Sequence, residues 1–294
     1  MDITLARTFI AVTEQGSFVD AAEHLHVTQS TVSTRIKTLE TLLGHSVFKR
    51  SKAECVPTPA GLRFDRYART LVRVWEEARQ QVGIPEGFER ALSIGSQHGL
   101  WQCLLIPWLP ELRAAHPLIA IRAQVAAGQH LLSGLQEGVL DFAVMYQRHA
   151  ANSVQVEKLV EDELLLVTTD PAGHYADRYV LLDWGEEFRM FHAEHHPHLN
   201  TDGLSLSIGS LGIEFLLRHQ RSGYVPHVVA AAHIASGALR VVPSAPRLPY
   251  PAYVAWRRDY GDTQLMTSVA TSLRNSALAL LRRVVGERRQ RVRT

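Results

Sequence analysis

Leu5, Phe9 and Val12 recur at i, i+4, i+7, the spacing of one helical face, so the chain opens on an amphipathic helix. Gly16-Ser17 ends it, and Ser17 can cap a second short helix carrying Ala21, Ala22 and Leu25. His26-Val27 makes a tight connection to a third helix whose candidate N-cap is Thr28. There Val32, Ile36, Leu39 and Leu43 fall within about 60° of one another at 100° per residue, a narrow core stripe. Ser30, Thr34 and Lys37 take the opposite side, flanked by Thr31, Ser33 and Arg35, so the outward face is small, hydroxyl-rich and basic. Gly44 terminates the helix. His45-Ser46-Val47-Phe48-Lys49-Arg50-Ser51-Lys52 followed by Val56-Pro57 predicts a strand, a basic turn and a second strand, a wing beside the third helix.

Thr58-Pro59 is a cap followed by proline at the first helical position, where the missing N–H costs nothing. The helix it starts is expected to reach about Val82. Its apolar stripe is read as Phe64, Tyr67, Ala68, Leu71, Val74, Trp75, Ala78 and Val82, with Arg63, Arg66, Arg69, Arg73, Glu76 and Glu77 on the wet side. A helix this long leaves apolar surface that a small head cannot cover, and pairing with a second copy would bury it.

Gly83-Ile84-Pro85-Glu86-Gly87 breaks the helix. Beyond it strand-like and helix-like segments alternate, an α/β pattern with mainly parallel strands. Strands are predicted at Leu92–Ser96, Ile119–Val125, Asp141–Met145, Leu164–Thr169, Tyr179–Asp183, Ser205–Ile208, Ala238–Val242 and Ala252–Trp256. Helices are predicted at Leu100–Ala114, Leu131–Glu137, Leu211–Gln220, His227–Ala235 and Thr263–Val285, the last folding back on the first lobe. Two lobes joined by crossing strands leave a cleft, and ligands of open α/β sheets bind beyond the carboxyl ends of strands.

Charge sharpens this division. The 294 residues carry a formal +2, but residues 28–52 hold five basic residues against Glu40, net +4. Residues 84–281 are net −5, and the tail from Arg282 is net +5. A basic head on an acidic body fits nucleic-acid binding confined to the head. With 46% hydrophobic and 20% charged residues the chain can bury a real core. Two cysteines, Cys55 and Cys103, exclude a disulfide scaffold and a four-cysteine zinc module and suit a reducing compartment. Cys103 reads as a buried hydrophobe and Cys55 as a more exposed wing residue. The opening Met1-Asp2-Ile3-Thr4 does not resemble a secretory signal, and no apolar run approaches a membrane span. A cytoplasmic protein without membrane contact is expected.

Candidate chemistry is sparse. His192 and His196 stand four apart beside His195 and His198, but without a His-Glu-x-x-His order and with Pro197 interrupting, so a polar loop is expected there rather than a metal. Gly95-Ser96-Gln97-His98-Gly99 is neither a phosphate loop nor a dinucleotide fingerprint, and no Gly-x-Ser-x-Gly elbow is present. Neither catalytic residues nor a cofactor are expected. An enzyme acting through the α/β cleft, or a cytosolic small-molecule-binding protein, are the alternative readings; the second leaves the first 83 residues unexplained.

Three runs give the head a family likeness: Ala21-Ala22-x-x-Leu25-x-Val27-Thr28-Gln29-Ser30, Ser33-x-x-Ile36-x-x-Leu39-Glu40-x-x-Leu43-Gly44, and Phe48-x-Arg50 followed by Thr58-x-Ala60-Gly61. The chain resembles the LysR-type transcriptional regulators. The body is similar, more diffusely, to that family's effector-binding domain, itself periplasmic-binding-protein-like, through Pro107, Pro117, Gly128, Leu135, Gly138, Leu140-Asp141-Phe142-Ala143 and Gly223-Tyr224-Val225-Pro226. The resemblance implies a multidomain α+β chain: a winged helix-turn-helix at 1–57, a linker helix at 58–83, a hinge at 84–90, a two-lobed α/β domain at 91–288 and a basic tail at 289–294. Lobe 1 would take about 91–160 and 262–288, and lobe 2 about 161–261. It also implies a homodimer through the linker helix, a homotetramer through further sensor contacts, and contact with the transcription machinery.

On this reading double-stranded promoter or operator DNA is met by Thr28, Gln29, Ser30, Thr31, Ser33, Thr34, Arg35, Lys37, Arg50 and Lys52. Ser30, Thr31, Ser33, Thr34 and Arg35 approach bases, while Gln29, Lys37, Arg50 and Lys52 hold phosphate. A small-molecule effector, such as an organic anion, would sit between the lobes. Ser96, Gln97, His98, Gly128, Gln129 and Tyr146 would reach it from one lobe and Ser210 and Tyr224 from the other, the helix start expected at Gly128-Gln129 favouring negative charge.

Overall fold

Side-chain caps start the first three helices. Asp2 accepts from the Thr4 amide at α1 (Ile3–Gln15), Ser17 from Val19 and Asp20 at α2 (Phe18–His24), and Thr28 from Thr31 at α3 (Gln29–Leu43). Gly44 closes α3 at a φ of 67°, a left-handed conformation that a side chain would strain. The computed structural model describes residues 2–50, 55–146, 153–199 and 203–291. β1 (Phe48–Arg50) and β2 (Cys55–Pro57) pair antiparallel, Phe48 opposite Pro57, and form the expected wing. Thr58 then caps α4 (Pro59–Val82) through the Gly61 amide at 3.0 Å.

Phe9 anchors the core of this head, its ring 5.1 Å from both Phe48 and Phe64, with Val32, Ile36 and Leu39 sealed beneath. Leu43 does not join them: it is 36% exposed at the last turn of α3. The stripe on α4 also differs from the sequence reading. Gly61, Phe64, Ala68, Val72 and Glu76 are buried, whereas Tyr67, Leu71, Val74, Trp75 and Val82 are exposed. Glu76 is buried because Arg7 of α1 pairs with it, with Arg79 adding a second contact at 3.3 Å. One face of α4 thus serves its own head, and the apolar face beside it is exposed among the described residues.

Met1–Ala91 with Ser133–Leu140 form one compact unit, and Leu92–Leu132 with Asp141–Thr294 form the other. In the second unit β3 (Arg90–Ser96) leads into a helical run: α5 (His98–Leu100), a π-turn at Trp101–Leu105, and α6 (Ile106–Ala115). The π-turn adjoins Pro107, which has no amide to continue the α ladder, and the Ile106 amide reaches back to Trp101. Next come β4 (Ile119–Val125), α7 (Gly128–Gln136), β5 (Phe142–Met145) and β6 (Val154–Val160), a strand the sequence reading missed.

The chain then crosses into a second sheet. This lobe runs β7 (Glu163–Thr168), β8 (Leu181–Leu182), α8 (Glu186–His195), β9 (Ser205–Leu206), α9 (Leu211–His219), β10 (Ser222–Pro226), α10 (His227–Ala235), β11 (Arg240–Val241) and β12 (Leu248–Pro249); β7 pairs with β10, β11 and β12, while β8 and β9 form a separate two-stranded parallel sheet. β13 (Ala252–Arg257) returns to the first sheet, whose order is β4-β3-β5-β13-β6, and α11 (Thr263–Arg291) packs on that lobe through Met266, Val269, Leu273 and Ala277.

Strand directions depart from the mainly parallel expectation. β3 and β5 are parallel, but β13 runs antiparallel to β5 and β6, and β7 runs antiparallel to β10, β11 and β12. The double crossing accounts for β13 against β6 and for β12 against β7. A strand that returns beside the one that left must oppose it. Two cores result, one around Trp108, Phe142 and Val254, the other around Leu166, Phe188 and Leu216.

Candidate nucleic-acid interface and effector cleft

The start of α3 is a hydroxyl cluster. Thr28 Oγ1 lies 2.8 Å from both Ser30 Oγ and Thr31 Oγ1 and accepts the Thr31 amide at 3.2 Å. Gln29, Ser30, Thr34 and Lys37 are exposed, and Thr31 and Ser33 half-buried. Between Gln29 and Lys37 no large apolar side chain stands on the outer face, since Val32 and Ile36 are in the core. Arg35 is turned toward α1, its guanidinium 3.4 Å from Thr8 Oγ1. Glu40 ties α3 to the wing by accepting the Val47 amide at 2.9 Å, a role the sequence reading missed. Arg50 lies on β1 opposite Cys55, the neighbouring Lys49 is exposed, and Lys52 lies outside the described residues.

In the second unit the two lobes meet directly. His98 Nδ1, from the start of α5, is 3.0 Å from Ser210 Oγ, just before α9. Gly99 permits the approach: a Cβ there would stand 3.0 Å from Ser210 Cβ and 3.1 Å from Val229 Cγ2. Beside this bridge is a cavity of about 260 Å³, lined among others by His98, Gln102, Ser210, Leu211, Arg218, Val229 and His233. Gln102, Arg218 and His233 escaped the sequence reading; only the packing of α9 and α10 against the helical run places them here. Arg218 is held by Glu214 at 3.0 Å.

The other expected effector residues distribute unevenly. Gln97 Oε1 accepts the Tyr146 amide at 2.9 Å and joins the ends of β3 and β5. Gly128 and the exposed Gln129 open α7. Ser96 is fully buried, its hydroxyl donating to the Val144 carbonyl at 2.8 Å. Tyr146 is buried, its ring stacked 4.5 Å from Tyr250 and its hydroxyl donating to Asp162 Oδ2 at 3.2 Å. Tyr224 belongs to the core of the second lobe, its hydroxyl 2.6 Å from His196 Nε2 and donating to the Pro246 carbonyl at 2.9 Å. These three hydroxyls are thus engaged by the protein itself.

Burial dominates the electrostatics. It pushes the Asp162 carboxyl up to about 7 against the lowering effect of the Glu163 and Val228 amides, and the Cys103 thiol up to about 12. Tyr146 is pushed well above its ordinary range by burial and by Asp162. The histidine group is an aromatic packing element: His192 stacks on Tyr179 at 5.3 Å and His195 on Phe191 at 4.5 Å. No group of three or more His, Cys, Asp or Glu is placed to hold a metal ion, and no helix is long and apolar enough to cross a membrane, among the described residues.

Comparison with known proteins matches residues 3–62 to the bacterial regulatory helix-turn-helix proteins of the lysR family and residues 85–277 to the LysR substrate binding domain. The HTH-type transcriptional regulator HdfR of Yersinia enterocolitica is 30% identical over 305 residues, covering 96% of this chain and all of that protein. HdfR of Escherichia coli is 33% identical over 216 residues, 70% of this chain and 77% of that protein. Among solved structures, a full-length OxyR variant from Pseudomonas aeruginosa shares the fold with a TM-score of 0.56 at 23% identity, over 93% of this chain and 95% of that one. ArgP from Mycobacterium tuberculosis gives 0.54 at 24%, over 94% and 97%.

Proposed function

The chain belongs to the LysR family of bacterial regulators, and from that premise we propose which surfaces carry its two binding functions. It is a DNA-binding transcription regulator with an effector-binding domain. DNA lies against α3: Ser30, Thr31, Ser33 and Thr34 approach base edges, with Arg35 joining them by leaving Thr8, while Gln29, Lys37, Arg50 and Lys52 hold phosphate and Thr28 fixes the helix start. The carrying observation is the outer face of α3, which presents hydroxyls and a cation with no bulky apolar side chain between Gln29 and Lys37. Residues 1–57 are assigned to the DNA-binding head, 58–83 to a linker that pairs two copies, 84–90 to a hinge and 91–288 to the sensor.

The effector is assigned to the interlobe cleft around the His98–Ser210 bridge and the start of α7 at Gly128-Gln129, where a small organic anion suits an imidazole and the positive end of a helix. Gln97 and Tyr146 shape the cleft from behind. A ligand that touches both lobes shifts their arrangement only through its differential affinity for it. The exposed face of α4, from Tyr67 to Val82, supports a homodimer and, with sensor contacts, a tetramer that acts on the transcription machinery in the cytoplasm. No catalytic role is assigned to the cleft.

The test is selection of bound duplexes from a random pool by the full chain, followed by salt titrations. Lys52→Ala should weaken all sequences alike and flatten the salt slope by about one unit. A changed sequence preference with the salt slope intact would refute this division of roles.

A further inference from the structure

The lobes are joined at two crossings, Glu161–Asp162 outward and Tyr250–Pro251 on return. One carboxyl gathers both. Asp162 Oδ1 accepts the Glu163 amide at 2.8 Å on β7 and the Val228 amide at 3.2 Å in the first turn of α10. Its Oδ2 accepts from Tyr146 at the end of β5 in the other lobe, and its carbonyl accepts the Tyr250 amide at 2.7 Å on the returning strand. Tyr250 closes the set by stacking on Tyr146. Asp162 is 7% exposed, and its hydrogen-bond partners are amides and a hydroxyl rather than a cation.

We propose that Asp162 is a proton-sensitive latch of the interlobe hinge: the arrangement seen here takes up one proton, and any opening that hydrates the carboxyl releases it. Among the described residues, none of the groups hydrogen-bonded to the Asp162 carboxyl carries a positive charge. Cys103 faces it from the π-turn, Tyr146 from β5 and Tyr250 from the return crossing. On its own segment Glu163 is occupied by Arg247 at 2.5 Å and Glu161 by Lys158 at 2.6 Å. His227 precedes the Val228 amide on α10, and Asp183 and Glu187 act on Tyr250 from the second lobe.

Both protonation states fit the geometry. With the acid neutral, Oδ1 still accepts the two amides and the proton on Oδ2 shares the contact with Tyr146 Oη. With the acid ionised, the charge sits in a site that is only 7% exposed, and hydration by opening gains free energy. The sign follows from the carboxyl raised to about 7 while buried and returning toward its ordinary 3.8 when hydrated. Opening becomes easier as pH rises from about 4 to 7 and then levels off. A ligand that favours the latched hinge therefore takes up a proton and binds more tightly toward acid pH. The latch is independent of where that ligand sits.

Hydrogen–deuterium exchange of the full chain, corrected for intrinsic rates, tests it without a ligand. Peptides covering 160–166, 224–232 and 248–254 should lose protection by roughly tenfold per pH unit between about pH 5 and 7 and level off above, while β3 peptides do not follow this slope. Asp162→Asn keeps the shape and stays neutral, so its hinge protection should be flat over that range. A flat wild-type hinge, or a slope that survives in Asp162→Asn, overturns the proposal. Should the variant fail to fold, carboxyl-13C aspartate labelling of the wild type decides: one carboxyl titrating near neutrality supports the latch, and none titrating above about pH 6 refutes it.

Discussion

Gly61→Ala is expected to destabilise the head, against the ordinary rule that alanine improves a helix. Gly61 sits in the first turn of α4, and its backbone is not in the left-handed region, so alanine meets no conformational strain. Propensity alone would favour the change by about 1 kcal/mol. The obstacle is space: an added Cβ would stand 2.2 Å from the Val47 carbonyl oxygen and 3.2 Å from the Val47 carbonyl carbon. That oxygen cannot yield freely, because it accepts the Thr58 amide at 2.9 Å, and Thr58 in turn caps α4 through the Gly61 amide. Overpacking of this kind costs about 1–3 kcal/mol, and disturbing the cap adds about 1. Set against the propensity gain, the net loss is about 1–3 kcal/mol. Urea unfolding of the full chain should show a lower midpoint for the head transition with an unchanged slope, and DNA affinity should fall with it because Val47 leads directly into β1 of the wing. Equal or greater stability of Gly61→Ala would refute the close approach of α4 to the wing.

Three further outcomes are expected. On the proposed pairing through α4, Leu71→Glu should dissociate the assembly, because Leu71 is 42% exposed in the single chain and the pairing would bury an unpaired carboxylate there; unchanged sedimentation would remove α4 from the proposed interface. Burial lowers His192, and lowers His196 with help from His192 and His195, so both bind protons less readily folded than unfolded. Their stabilisation is present above about pH 6.5 and is lost as pH falls through the lowered values. His196→Gln should accordingly show a smaller drop in urea midpoint between pH 7.5 and 5.0 than wild type, and an equal drop would refute the assignment. Cys103 is half-buried rather than fully buried as its sequence suggested, and its surroundings push the thiol up to about 12, so it should react slowly with a thiol reagent at about pH 7.5 until the chain is unfolded; rapid native labelling located by mass spectrometry would contradict the raised thiol.

Local chemistry made much of this molecule legible beforehand. Thr28, Ser17 and Thr58 are caps because a short hydroxyl ahead of an apolar-periodic run has a free amide to accept. Ile119–Val125 and His227–Ala235 take the bounds their patterns predict. Short or weakly patterned elements were hidden: α8 offers only Phe188 and Phe191 as buried residues, and β6 is defined by pairing with β13 nearly a hundred residues on. On the candidate site, the hydroxyl face of α3 was readable because helical periodicity alone separates Ser30 and Thr34 from Val32 and Ile36. The effector side was less so. His98 and Ser210 do meet across the lobes, but Ser96 and Tyr224 spend their hydroxyls inside the protein.

The amino-acid sequence by itself determined the caps of α2, α3 and α4, the stop of α3 at Gly44 and the hydroxyl-rich outer face of α3, because each rests on interactions within a few residues. Only the tertiary structure decided which apolar face of α4 serves its own head, that Glu76 is buried against Arg7, that Gln102, Arg218 and His233 line a shared cavity, and that Asp162 sits where both crossings meet. Burial and the satisfaction of a polar group depend on which distant segments converge, and that convergence is set by strand pairing and core packing across the whole chain rather than by its neighbours in sequence.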